Sequence, residues 1–235
     1  MTAPWRGART LDDIPFDALL ARLDRGALVR SRWGYPAADD PDGLADLDLA
    51  VASLRAAGGV AARARFGLFD AAKPTPDIVE VADPVYGRHA TFEFPRERNG
   101  KRRSVADYIE PGQPAAFFCA TLGRTASVYL RTVLDSGDSA AYALAHGLLA
   151  GLAEAAAAMV HERVLAELLP GVVPRGKRYS FGFPGCPGVE ANGPLVDLLG
   201  GQAIGLGVTA GSELDPEFSV TALVVTTASA EYFSA

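Results

Sequence analysis

Apolar residues recur along this chain with changing spacing, and the changes divide it into elements. In the first sixty residues the period is helical. Pro15, Leu19, Leu20 and Leu23 share one face of a segment that Asp12 or Asp13 caps and that ends near Gly26. After Trp33-Gly34-Tyr35-Pro36 and an acidic loop, Leu44, Leu47, Val51 and Leu54 mark a second amphipathic helix, stopped by Gly58-Gly59. Strand patterns follow. Residues 64–69, 77–81 and 90–94 are short β-branched or aromatic runs separated by Pro, Gly and Asp. Residues 115–122 are continuously apolar, as expected of a strand buried on both faces at the centre of a sheet. One long helix is predicted over 139–169, capped by Asp138 or Ser139 and ended by Pro170-Gly171. Further strands are expected at 203–208 and 219–226. Strands bracketed by helices, without regular βαβ alternation, predict an α+β fold with a mainly antiparallel sheet. A single domain spanning 1–235 is expected, with N-terminal helices over 1–60 and the sheet, long helix and a ligand loop over 61–235.

Composition narrows the function classes. Hydrophobic residues make up 49% and charged residues 21%, enough to bury a core. The net charge is -6, and the basic residues are scattered apart from 96–103, which argues against nucleic acid as a partner. That basic run contains Asn99-Gly100 and reads as a solvated hairpin tip. Two cysteines, Cys119 and Cys186, make neither a disulfide framework nor a structural zinc site. With no secretory pattern at Met1–Arg6, a reducing cytoplasm is the expected location. His89, His146 and His161 lack ligand partners at helical spacing, so no protein-bound metal is expected.

Two features hold candidate chemistry. Between Asp138 and His161 the only formally charged residue is Glu154, in a helix otherwise apolar nearly all round. Such a helix is buried in protein or spans a membrane. A carboxylate near a bilayer centre costs about 2.5–3.5 kcal/mol and no basic cluster flanks this segment, so a buried helix is expected and no membrane. Glu154 then either bridges to an arginine or meets a cationic group of a ligand, with Ala157, Ala158 and His161 as its helical neighbours. The second feature is the segment Arg178-Tyr179-Ser180-Phe181-Gly182-Phe183-Pro184-Gly185-Cys186-Pro187. Glycines and prolines alternating with aromatics predict a rigid loop, a frequent place for ligand sites. Arg178 adds a planar fork suited to a carboxylate. Cys186 has no nearby histidine to make it a catalytic thiol.

These residues also resemble a known family, the S-adenosylmethionine-binding activation domain of cobalamin-dependent methionine synthase. Arg178 to Pro187 is similar to that family's Arg-x-x-x-Gly-Tyr-Pro-Ala-Cys-Pro signature. Glu154 and His161-Glu162-Arg163-Val164 resemble the helix ending in His-Glu-Arg-Val. Ala106 to Pro111 looks like its Ala-Asp-Phe-x-x-Pro, and Phe66-Gly67-Leu68-Phe69 like one of its strands. Residues 216–233 can be laid on its C-terminal strand pair. The resemblance implies a C-shaped α+β domain with a twisted antiparallel sheet and S-adenosylmethionine in a shallow groove. By position, Arg178 would hold the ligand carboxylate, Glu154 would face the ligand and the Ser180 backbone would meet the adenosine. Asp46 or Asp48 would supply an N-terminal aspartate. Phe183 stands where the signature has tyrosine, Val224 where many members have a ligand-side tyrosine, and Thr226-Thr227 where relatives have His-His.

Two functions follow from the resemblance. The first is a stand-alone module, expected because no cobalamin, folate or homocysteine module lies in these residues, that offers S-adenosylmethionine to a corrinoid protein in trans. The second is the same groove turned to a small-molecule enzyme of cyclase or lyase type, with Glu154 as acid or base and Tyr108 or Tyr179 as hydrogen-bond donors. A structural protein without a ligand is a third reading, opposed by the presence of both Glu154 and Arg178.

Overall fold

In the computed structural model, residues 5–110, 112–168 and 176–233 are described, the side chain of Asp12 excepted. The chain opens with a strand, β1 (Gly7–Ile14), and not with a helix. Asp12 and Asp13 belong to that strand and cap nothing; the following helix α1 (Phe16–Arg22) starts after Pro15. Pairing between β1 and β2 (Ala62–Ala72) is a long-range contact that no local pattern announces. A single π-helical turn, Ala27–Arg32, then leads through Tyr35 to α2 (Pro41–Ala56), whose first turn is capped by Asp40.

The predicted strands follow as β2, β3 (Ile78–Ala82), β4 (His89–Glu93) and β5 (Ala115–Thr121). Next come α3 (Gly123–Asp135), α4 (Ser139–Leu168) and β6 (Lys177–Ser180). The Pro170-Gly171 stop lies outside the described residues. Asp138 caps α4 by accepting from the Ala141 backbone N–H at 2.9 Å. After α5 (Asn192–Leu199) the expected strand at 203–208 begins instead within a 3₁₀ turn, Gly201–Ile204, flanked by Gly200 and Gly205 at left-handed φ angles of 65° and 77°. Only β7 (Gly207–Val208) survives there, paired with β8 (Leu214–Asp215). The last strand, β9 (Ser219–Val225), has no partner strand C-terminal to it among the described residues.

The main sheet runs β4-β3-β2-β5-β9-β6, antiparallel throughout, with β1 beside the first half of β2 and β3 beside its end. It curls into the half-barrel of the expected C-shaped α+β fold. Its two faces bury separate cores. Ala116, Phe118, Ala120, Ala222 and Val224 face the helices. Phe117, Cys119, Leu223, Val225 and Tyr179 face α5 and the 105–109 turn. Every residue of β5 is buried, which accounts for its unbroken apolar sequence.

The helix α4 lies across the first face, against α1, α2, α3, β5 and β9. By length and composition it could cross a membrane, but here Leu148, Leu149, Leu152, Ala156, Ala157 and Val160 are core residues. Gly147 and Gly151, one turn apart, form a notch in its surface. A Cβ on Gly147 would lie 2.3 Å from the Trp33 indole nitrogen, and one on Gly151 2.8 Å from Leu23. The segment from Leu23 to Trp33 therefore seats directly on the helix.

Replacing Phe118, fully buried between β5 and α4, by alanine is expected to cost about 3–5 kcal/mol in urea unfolding. Val128→Ala, at a side chain 65% exposed on α3, should stay within about 0.5 kcal/mol of the parent.

Candidate functional site

The edge strand β6 places the site by simple alternation. Tyr179 points to the α5 side, so Arg178 and Ser180 project to the α4 side, opposite Val224 and Ala222 of β9. There Arg178 meets Glu154: its Nη2 donates to Oε2 at 2.6 Å. The two side chains are 20% and 40% exposed. Arg178 Nη1 is buried with no hydrogen-bond partner among the described residues. One arm of the guanidinium is thus pinned and the other is left with a donor to satisfy.

Beyond Ser180 the chain makes two tight turns. Phe183 N–H donates to Ser180 O at 3.3 Å, Cys186 N–H to Phe183 O at 3.0 Å, and Gly182 N–H closes the loop on Pro187 O at 2.8 Å. Gly182 and Gly185 sit at φ angles of 83° and 81°, a region that favours glycine. Phe181 turns inward, edge-on to Phe92 and Phe117, and anchors the loop, while Phe183 points outward and is 61% exposed. The loop thus begins as strand and continues as turns.

The opposite wall comes from the C-terminal segment. The Tyr179 hydroxyl donates to Glu231 O at 2.7 Å, and the Glu231 N–H donates to the Tyr108 hydroxyl at 3.2 Å. This latch sets Tyr232 and Phe233 beside the loop. Together with Arg32, Glu154, Arg178, Ser180, Phe183 and Pro184 they line a groove of about 670 Å³, within the range of small-molecule sites.

Of the sequence-predicted residues, Arg178, Glu154, Ser180, Phe183 and Tyr179 line this groove. Tyr108 stacks on Tyr179 from behind and is outside the lining. The Tyr179 hydroxyl donates its proton to Glu231 O and burial raises its pKa, whereas the Tyr108 hydroxyl accepts from the Glu231 N–H and lies outside the groove lining. Val224 is 4% exposed and packs in the core beneath Arg178. Asp46 accepts from the Tyr35 hydroxyl, and Asp48 is an exposed residue of α2; neither belongs to the lining. The aspartate that the N-terminal segment brings here is Asp24, in an extension of about 370 Å³ between Arg22, Arg32 and Glu154. The sequence pattern singles out neither Asp24 nor Arg32. The signal available for both was the short run 24–32 preceding Trp33-Gly34, where charged residues flank the apolar Leu28-Val29 pair that anchors it.

Two further groups complete the electrostatics. His161 Nε2 is buried without a partner among the described residues, and burial, followed by the nearby Arg178 charge, lowers its pKa. Cys186 lines the groove but is 6% exposed, and burial pushes its thiol up to about 12. No group of three or more His, Cys, Asp or Glu side chains is placed to hold a metal ion among the described residues.

The comparisons agree with this architecture. The family model described as "Vitamin B12 dependent methionine synthase, activation domain" matches residues 45–235. Methionine synthase of Mycobacterium tuberculosis (strain ATCC 25618 / H37Rv) is 26% identical over 272 residues, covering 98% of this chain. Methionine synthase of Mycobacterium leprae (strain TN) gives the same figures. The chain spans only 23% of the length of these relatives. Among solved structures, the MetH reactivation domain bound to AdoHcy has a TM-score of 0.83 at 20% identity, over 99% of this chain and 82% of that one, a likeness of fold.

Two measurements check the electrostatics. At pH 8 both thiols should resist alkylation for hours in the folded protein and react at once in urea, since a pKa of about 12 leaves about one thiolate in ten thousand. Because the folded protein holds His161 below its ordinary 6.5, its contribution to stability is complete above pH 6.5 and declines as the pH falls below it. The melting temperature should drop from pH 7 to 5.5, and His161→Gln should flatten that part of the profile.

Proposed function

The chain belongs to the activation-domain family of vitamin B12-dependent methionine synthase, and from that membership we propose that its groove binds S-adenosylmethionine for reductive remethylation of a corrinoid protein. The observation that carries this reading is the Arg178 guanidinium, one nitrogen held by Glu154 and the other buried and unpartnered at the groove. A planar donor fixed in this way suits a ligand carboxylate. The AdoHcy bound in the similarly folded reactivation domain supports a ligand of the same class.

The ligand supplies a methyl group on a cationic sulfur, open to attack by a reduced corrin metal. The residues of the chain do the positioning. Arg178 orients the amino-acid end. Glu154, 40% exposed, faces a cationic centre, ammonium or sulfonium, and its charge offsets the cost of bringing that centre out of water. Phe183, Pro184, Tyr232 and Phe233 form an apolar rim that shields the methyl from water and leaves one side open to a partner. In the alternative, turnover of a small molecule, acid–base work would fall to Glu154, whose Oε1 is unengaged by the described residues, since the Tyr179 proton is held by Glu231 O and Tyr108 lies outside the groove lining.

Calorimetry with S-adenosylmethionine should show binding, weakened at least thirtyfold (about 2 kcal/mol) in Arg178→Ala with the melting temperature nearly unchanged. No heat at millimolar ligand would refute the reading. Corrinoid-free turnover of a small molecule, abolished by Glu154→Gln, would replace it with the enzymatic one.

A further inference from the structure

Three depressions on the α4 side of the sheet meet at two side chains, for Arg32 and Glu154 line all of them. Glu154 is paired with Arg178. Arg32 has no ion-pair or hydrogen-bond partner among the described residues, unlike Arg22 at the same rim, which pairs with Glu162. Its position is built, not incidental. Arg32 ends the π-helical turn Ala27–Arg32, closed by the Trp33 N–H donating to Leu28 O at 3.1 Å. Such wide turns recur at functional sites. The adjoining Trp33 indole is seated on the Gly147 notch of α4, two turns before Glu154, which fixes the backbone next to Arg32.

Resting on the reading that the groove takes S-adenosylmethionine, we propose that Arg32 is a further ligand-binding residue, the second arm of a two-arginine grip on the ligand's carboxylate. Arg178 offers that carboxylate its buried, unpartnered Nη1, while Nη2 donates to Glu154. A carboxylate accepts at both oxygens, each with room for more than one donor, so a second guanidinium can share it with Arg178. Arg32, across the same groove, supplies the remaining donors. Glu154 lines the space they share and offsets one of the two positive charges, so a zwitterionic amino acid meets alternating charges of the right sign.

The test compares S-adenosylmethionine with its decarboxylated form, in wild type and in Arg32→Ala, Arg32→Lys and Arg178→Ala. Removing a cation from the groove ought by itself to favour both cationic ligands. A grip on the carboxylate reverses that sign for one of them. Arg32→Ala is expected to bind S-adenosylmethionine at least tenfold more weakly, and the decarboxylated form equally or more tightly. Arg32→Lys should recover part of the loss, and the melting temperature should stay within about 1 °C of wild type, as for an exposed side chain. Wild-type affinity for S-adenosylmethionine in Arg32→Ala, or equal loss for both ligands, would overturn the inference while leaving the role of Arg178 standing. Absence of binding in the wild type would remove both.

Discussion

Helix α4 cannot be left at a surface. Over the stretch from Asp138 to His161 it carries one charge, and water on any side would meet alanine and leucine. The fold is arranged around covering it: β5 and β9 from one side, α1, α2 and α3 from the others. Alanine and glycine on its surface let those elements approach closely, most of all at Gly147 and Gly151. Apart from its two ends, α4 is left partly uncovered in the strip beside Glu154, where β6 ends and the chain turns away. The site is the gap in the coat of this helix.

That gap leaves the Arg178–Glu154 pair with little to contribute to stability. A half-exposed ion pair contributes about 0–1 kcal/mol, and the desolvation of its partly buried arginine works against it. Apolar residues at both positions would suit α4 better. The pair persists with a donor nitrogen unsatisfied, a local cost that a purely structural bridge would not carry. Function is the ordinary reason for a local rule to be broken in an otherwise consistent core.

How far the sequence revealed this depended on whether the relevant signal was local. The central strand, α2 and α4 announce themselves by pattern, because each is decided by its own burial. β1 does not, since Gly7–Ile14 becomes a strand only by pairing with β2, and its two aspartates imitate a helix cap. α3 hides a buried stripe of Ala126, Tyr129 and Leu130 among polar residues, and α5 has Gly193-Pro194 in its first turn, which reads as a break although proline fits there. In the site, Arg178 and Glu154 were legible because a lone carboxylate and a glycine-proline loop are odd in themselves. Arg32, Asp24, Tyr232 and Phe233 were not. Each is an ordinary surface residue until the Gly147 notch, or the bond between Tyr179 and Glu231, brings it to the groove.

The division between frame and wall bears on the departures from the family signature. The frame of the loop is set by residues that face inward: Phe181 in the aromatic cluster, Tyr179 bonded to Glu231, and left-handed glycines at 182 and 185. None of these depends on what Phe183 presents to solvent, nor on Thr226 and Thr227, which follow β9. Substitution at those positions alters the hydrogen bonds available to a ligand or partner without altering the backbone that holds Arg178. Val224 is different, because it is core: a tyrosine there would have to displace packing against α4 or push its hydroxyl past Arg178 into the groove. A valine at that position keeps the core closed and apolar beneath the charged row of Arg178, Glu154 and Arg32 that lines the groove.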